Sequence, residues 1–293
     1  MKDKNGFSLV NTLIAIIIIV ASLFVYARYI ATKGLIVKEY RVKSNILSSN
    51  FSGIKIVHFS DLLYKSTVDK NDLENLVKRI NEYKPDIVVF TGNLVTNTVK
   101  MTTDDTNTLV NALSKIDATI DKYAIYGEYD YKYKDYDRVM TSSGFKILNN
   151  SYDEVYYKNN EPMYIVGLPS SLKENINLEE AFKFYKDDRK YIICLVHEGA
   201  SIKYIDSSDY EVDLILGGYS LNGSVVLPFI GGVFNDKNSY KYSEPEYVKG
   251  ITQIYISSGI GTKKYGYRFM NKPSFNVYRL KAQSELCFFH SIM

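Results

Sequence analysis

Lys84-Pro85-Asp86-Ile87-Val88-Val89-Phe90-Thr91-Gly92-Asn93 is an apolar run punctuated at both ends. Pro85 cannot continue a helix and biases the residue before it toward extended backbone, so any preceding helix stops there. Residues 86–91 are short and show no polar face, which predicts a strand buried between two layers. Gly92 and Asn93 then supply turn chemistry. In open α/β sheets, the carboxyl end of such a strand is where ligand-binding groups gather.

The neighbouring segments repeat this pattern. Residues 54–59 form another short apolar run, and it ends in Ser60-Asp61. Between the two runs, residues 69–83 place Leu73, Leu76, Val77 and Ile80 at helical spacing after an Asp and an Asn, which predicts an amphipathic helix. Residues 104–116 repeat the helical spacing through Leu109, Val110, Leu113 and Ile116, and residues 123–126 predict a third strand. The order β-α-β-α-β implies a mostly parallel sheet with helices on its faces. Further strands are expected at 145–148, 163–166, 191–196, 212–216, 224–227, 253–257 and 275–280, with a helix at 179–185. The second half is richer in strands than in helices. Two packed mixed β-sheets flanked by helices, an α/β class, is the expected architecture.

Composition narrows the function. The 293 residues, 46% of them hydrophobic, accommodate a membrane segment and one sizeable domain. The net charge of +3 is spread among interspersed acids and bases, so nucleic acid is not expected as a partner. Two cysteines, Cys194 in an apolar run and Cys287 in the tail, exclude a disulfide framework.

Residues 5–27 carry no charge, and 13–25 are almost wholly aliphatic. At about 1.5 Å per residue, such a helix crosses a hydrocarbon core of about 30 Å. No small-x-small cleavage site follows, so a retained anchor is expected. Arg28, Lys33 and Lys38 outweigh Lys2 and Lys4, which pulls the globular part toward the cytoplasm. The division expected is an anchor at 1–30, a juxtamembrane connector or edge strand at 31–53, a domain at 54–280 and a tail at 281–293. The stretch from Lys4 to Leu13 also resembles the processing region of type IV pilin precursors, but Asn11 stands where those carry Glu. That makes a pilin-like assembly component the weakest of the readings.

Asp61, Asn93, Gly127-Glu128-Tyr129, His197 and the loop 218–223 each follow an expected strand and so converge. The segments 55–63, 85–93, 124–130, 194–198 and 213–228 together resemble the calcineurin-like metallophosphoesterase family, particularly its membrane-anchored bacterial type. Order, spacing and flanking strands agree from about residue 54 to 280, and Ser258-Gly-Ile-Gly261 resembles the family's closing glycine turn. The resemblance implies an α/β/β/α sandwich, a two-metal phosphoester hydrolase site and an extracytoplasmic domain, the last against the charge argument above.

Carried over position by position, the ligand set is depleted. Asp61 and His197 are kept, but Leu63, Tyr219 and Leu221 stand where the family has histidines. The bridging Asp is Asn93, the motif Asn is Glu128, and the proton-donating His is Tyr129. A two-metal site needs a bridging anion between cations about 3.5–4 Å apart, and an imidazole-rich shell. Asn93 brings no charge, and the two leucines have no lone pairs. A tyrosine of reference pKa about 10 suits proton delivery poorly.

The expectation is therefore a membrane-anchored pseudoenzyme with a binding or scaffolding role, for an unidentified protein or small-molecule ligand. No confident catalytic residue and no cofactor are expected. The alternative is a single-metal phosphoesterase holding Mn, Fe or Zn on Asp61, Asn93, Glu128 and His197. Ordinary structural roles compete for each residue: a turn cap for Asp61, a satisfied buried histidine for His197, and a solvated acidic-aromatic loop for Glu128 and Asp130. Tyr126, Tyr129 and Tyr219 are expected to fill the cavity left by the metals. His58 and His290 receive no role.

Overall fold

The computed structural model describes residues 4–159, 161–186, 189–233, 237–239, 241–263 and 265–283. Its strands are, in chain order, β1 (Ile36–Ser44), β2 (Lys55–Phe59), β3 (Ile87–Phe90), β4 (Asp121–Ala124), β5 (Lys146–Ile147), β6 (Ser151–Val155) and β7 (Met163–Gly167). They continue with β8 (Ile192–Leu195), β9 (Leu214–Gly217), β10 (Val226–Leu227), β11 (Gly231–Gly232), β12 (Glu246–Lys249), β13 (Thr252–Ile256) and β14 (Ser274–Ala282). The α-helices are α1 (Lys4–Val25), α2 (Lys70–Glu82), α3 (Thr103–Leu113), α4 (Tyr136–Ser142), α5 (Leu178–Ala181) and α6 (Ile202–Asp206).

Two six-stranded sheets result, ordered β1-β14-β2-β3-β4-β5 and β12-β13-β9-β8-β7-β6. In the first, β2 to β5 are parallel while β14 runs antiparallel to β2 and carries β1 on its outer edge. In the second, β13, β9, β8 and β7 are parallel, with β12 and β6 antiparallel at the edges. Both sheets are mixed and face each other, with helices outside. The predicted architecture is the observed one.

Three apolar clusters account for the layering. One fills the space between the first sheet and the helices α2, α3 and α4, through residues such as Phe59, Phe90, Leu76, Leu109 and Val139. A second lies between the sheets, through Ile56, Val89, Ile165, Leu195 and Leu216. A third packs Phe182, Ile202 and Ile205 on the outer face of the second sheet. Successive residues of β2, β3, β8 and β9 thus face two different cores, which is why these strands lack a polar alternation.

Some elements differ from the sequence expectation. The helix expected at 179–185 is the single turn α5, and the strand expected at 224–227 shrinks to β10 within a small hairpin with β11. The elements β6, β12, α4 and α6 were not predicted. Each is short, and β12 lies at a sheet edge with Glu246, Val248 and Lys249 exposed, so it carries little hydrophobic signal. Cys194 is buried in β8, whereas Cys287 and His290 lie outside the described residues.

The stretch Leu9–Ile30 is helical, long and apolar enough to cross a membrane, and none of it is buried in the domain.

Candidate functional site

The strands β2, β3, β4, β8 and β9 all point their carboxyl ends to one side, and the turns that follow them meet there. The backbone at these turns is unusual. Asp61, Leu63, Asn93, Tyr219 and Leu221 have φ of 48°, 46°, 63°, 66° and 52°. Left-handed backbone disfavours bulky side chains by roughly 1–2 kcal/mol per residue, so Leu63, Tyr219 and Leu221 are held there by their surroundings. The close approach of two turns is one such constraint: a Cβ on Gly92 would lie 2.3 Å from the backbone nitrogen of Gly127.

Asp130 stitches these turns together. Its fully buried carboxyl group accepts from the backbone N–H groups of Asn93, Leu94 and Gly127 at 2.7, 2.8 and 2.8 Å. Burial pushes Asp130 up to about 7, although the three N–H donors favour its charged form. The sequence had left Glu128 and Asp130 room to be a solvated loop. Both are buried, at 7% and 1% exposure, because their partners lie on the turns after β3, β4 and β8, not in solvent.

At the centre lies Asn93, whose Nδ2 donates to Asp61 Oδ1 at 3.0 Å and to Glu128 Oε2 at 2.9 Å. Its Oδ1 accepts from the Tyr129 N–H at 3.0 Å. Asp61 Oδ2 accepts from Ser60 Oγ at 2.8 Å and from the Tyr219 N–H at 2.9 Å. Asp61 therefore joins three turns through its side chain and caps no helix. His197 Nε2 donates to Glu128 Oε2 at 2.6 Å, and its Nδ1 donates to the carbonyl of Thr91 at 2.5 Å. Burial by itself would lower His197, but the Glu128 carboxylate overrides it and holds the imidazole well above its ordinary value. Burial likewise would raise Glu128, and the facing imidazolium holds it well below the usual carboxylate range. The two form a buried ion pair.

A second cation comes from a residue that no motif announced. Lys263 Nζ lies 3.4 Å from Glu128 Oε1 and 3.3 Å from the centre of the Tyr219 ring. The Tyr219 ring in turn meets His197 edge-on, with centroids 5.7 Å apart. Arg268, fully buried, donates through Nη2 to the carbonyls of Ser258, Gly259 and Gly261, which fixes the closing glycine turn behind Asp61.

The tyrosines do not share one cavity. Tyr219 covers the His197–Glu128 pair, as expected. Tyr126 turns away, donating to Asp137 at 2.6 Å and packing on Tyr131 and Tyr136, because its neighbours on α4 offer an apolar seat. Tyr129 lines a separate surface cleft with Val95, Met101 and Tyr133. His58, given no role, is buried in the first sheet between Thr91 and Tyr278.

A two-metal centre does not fit these residues. Leu63 and Leu221 are buried and offer no donor atom, and the two N–H bonds of Asn93 point at both carboxyl groups where a bridging anion would be needed. A smaller donor set is present. Ligand atoms of Glu128, His197 and Glu198 lie within 4.8 Å of one another, a candidate triad for one cation. Binding there requires His197 to release a proton and leave Glu128. It also competes with the bonds that Glu198 accepts from Ser170 Oγ and the Ser171 N–H. Glu198 stands beside His197 in sequence, so its adjacency was the signal that could have found it. Lys263 had none.

The family model for calcineurin-like phosphoesterases matches residues 54–219. The chain is 33% identical to the uncharacterized metallophosphoesterase YkuE of Bacillus subtilis, over 88% of this chain and 89% of that one. It is 23% identical to a transmembrane protein with a metallophosphoesterase domain from Danio rerio, covering 84% of this chain and 57% of that protein. Among solved structures, the calcineurin-like phosphoesterase YfkN from Bacillus subtilis aligns with a TM-score of 0.45 at 14% identity, covering 74% of this chain and 88% of that one.

Proposed function

The chain belongs to the calcineurin-like phosphoesterase family, and from that premise we propose that it is a membrane-anchored member that binds without two-metal hydrolysis. The observation that carries this reading is the position of the Asn93 amide. One nitrogen donates to Asp61 and Glu128 together, so protein hydrogen bonds take up the oxygens that would face a metal. His197 and Lys263 supply positive charge against Glu128 from within the chain. Asp61, Leu63, Asn93, Tyr219 and Leu221 share a left-handed backbone, and of these side chains only the Asp61 carboxylate brings a negative charge to the site. The ligand of such a site is a protein or small molecule that meets the domain where Lys263 covers the buried Tyr219 ring.

Metal analysis of the purified chain after exposure to Mn, Fe or Zn tests the reading. Less than stoichiometric metal is expected; a full equivalent retained through gel filtration overturns it.

The Glu128, His197 and Glu198 cluster favours a second reading, a single-metal phosphoesterase assisted by Asp61 and Asn93. It predicts hydrolysis of an aryl phosphodiester that His197→Ala abolishes. Activity that survives His197→Ala excludes this site as its source.

In both readings the stretch Leu9–Ile30 is the anchor and the domain is extracytoplasmic. Mass spectrometry of the mature chain separates this from a pilin-like component: an intact amino terminus is expected, whereas cleavage after Gly6 supports the pilin reading.

A further inference from the structure

The end of the apolar helix does not leave the domain as a free tether. Phe24 meets Tyr267 edge-on with ring centroids 6.1 Å apart, and Tyr26 meets Phe269 in the same way at 6.0 Å. The Arg268 N–H donates to the Ala27 carbonyl at 3.0 Å, which ties the backbones together. The loop carrying Tyr267 and Phe269 is bonded in turn to the β10–β11 hairpin: Val226 N–H donates to Phe269 O, and Phe269 N–H to Ser224 O. Between helix and hairpin lies an apolar cavity of about 280 Å³, lined by Leu23, Phe24, Ala27, Val225, Leu227 and Phe269.

The tip of this hairpin is apolar and bare. Phe229 is fully exposed and Ile230 is 74% exposed, and Met270, which follows Phe269 in the adjoining loop, is 62% exposed. Soluble surfaces scatter such residues singly; a cluster that continues an exposed apolar helix marks a contact surface. Its depth is set by the helix. Leu23 to Ala27 lie within seven residues of Ile30, the end of the apolar stretch, and so within about 10 Å of it at about 1.5 Å per residue. That is the boundary between acyl chains and headgroups, where aromatic side chains concentrate. Tyr26 and Tyr29 of the helix end and Tyr267, packed on Phe24, lie at this level, with Tyr29 67% exposed.

We propose that the β10–β11 hairpin is a second membrane contact: Phe229 and Ile230 enter the leaflet that α1 leaves, and a lipid acyl chain occupies the cavity between them. The occupant is lipid because the cavity opens onto the same apolar surface as the helix, whose end packs directly against it. The hairpin follows the Tyr219–Leu221 turn within a few residues, and β1 starts at the site end of the sheet, where the Ser274 N–H of β14 bonds the Gly259 carbonyl. Docking therefore holds the Tyr219 and Lys263 corner of the site at the bilayer side of the domain. The inference rests on α1 being a retained anchor.

The chain contains no tryptophan, so Phe229→Trp in the full chain introduces a single fluorescent reporter. Tyr156→Trp serves as the control. Tyr156 is exposed next to Tyr157, which packs on Phe51 at the opposite end of β1 and β14. Both variants are reconstituted into phosphatidylglycerol vesicles whose acyl chains are brominated near the headgroup, after high-pH washing to confirm that the chain is retained. The expected result is blue-shifted emission from the Phe229→Trp variant that loses most of its intensity to bromine. The Tyr156→Trp variant is expected to stay unshifted and unquenched. Retention of the chain with the hairpin reporter as unquenched as the control overturns the docking and leaves the anchor standing. Loss of the chain from washed vesicles overturns both. A hairpin reporter shielded from iodide yet untouched by bromolipid, with a cross-linked dimer, assigns the hairpin to a second copy and also overturns the lipid contact.

Discussion

Leu63, Tyr219 and Leu221 hold left-handed backbone that none of their side chains favours, at positions the family resemblance aligns with histidines. The strain persists because Asp61, Asn93 and Asp130 lock the turns from inside. A backbone locked in this way should accept the side chains that the resemblance places at these positions. Combining Leu63→His, Asn93→Asp, Glu128→Asn, Tyr129→His, Tyr219→His and Leu221→His is expected to raise bound Mn or Zn from substoichiometric to about two equivalents, the two-metal arrangement. A variant that keeps native circular dichroism and binds no metal shows that the geometry has drifted.

His58 allows a separate test. Burial holds its imidazole down at about 3, from an ordinary 6.5. A base with a depressed folded-state pKa stays neutral in the fold and gains its proton first in the unfolded chain. Stability is therefore intact above 6.5 and is lost as pH falls toward 3, by about 1.4 kcal/mol per unit. Chemical unfolding of His58→Gln in detergent should show a flatter slope across that window than the parent; parallel slopes would rule out His58 as the source.

Among the elements, α2 was legible because three signals agreed: the spacing of Leu73, Leu76, Val77 and Ile80, the cap at Asp69, and the stop at Pro85. In the structure Asp69 accepts from the Asn71 and Asp72 N–H groups, while the Asp72 side chain accepts in return from the Asp69 N–H. Asp69→Ala is expected to cost about 1 kcal/mol, read as a lower unfolding midpoint. The exposed ion pair with Lys33 adds little to that. The helix α4 was missed although Tyr136, Val139 and Met140 are buried, since two turns carry too few apolar positions for a period to emerge. The hairpin β10–β11 was half seen for the opposite reason. Its strands are two residues long, and its apolar tip faces away from every core.

For the whole molecule, the apolar helix α1 and the sandwich are joined by packing as well as by chain. Phe24 and Tyr26 set their rings against the loop of Tyr267 and Phe269, and Lys33 bonds the Thr67 carbonyl at 3.0 Å. The proposed anchor predicts that the full chain stays in the membrane pellet after alkaline carbonate treatment. A chain lacking residues 1–30 should be released in part only, held back by the hairpin. Complete release of that shortened chain in folded form would confine membrane affinity to α1.

Sequence alone determined the central strands, the two-sheet architecture and the turns that would carry a site, because short apolar runs, helical spacing and Pro-Gly punctuation act over a few neighbouring residues. It also determined that Leu63 and Leu221 cannot hold a metal, since that follows from side-chain chemistry. Only the tertiary structure decided how the remaining groups pair: Glu128 with His197 across 69 positions, Lys263 over Tyr219, and Asp130 inside the turns of β3 and β4. Charges separated by that much chain interact through distance and burial, and the packing of two sheets sets both.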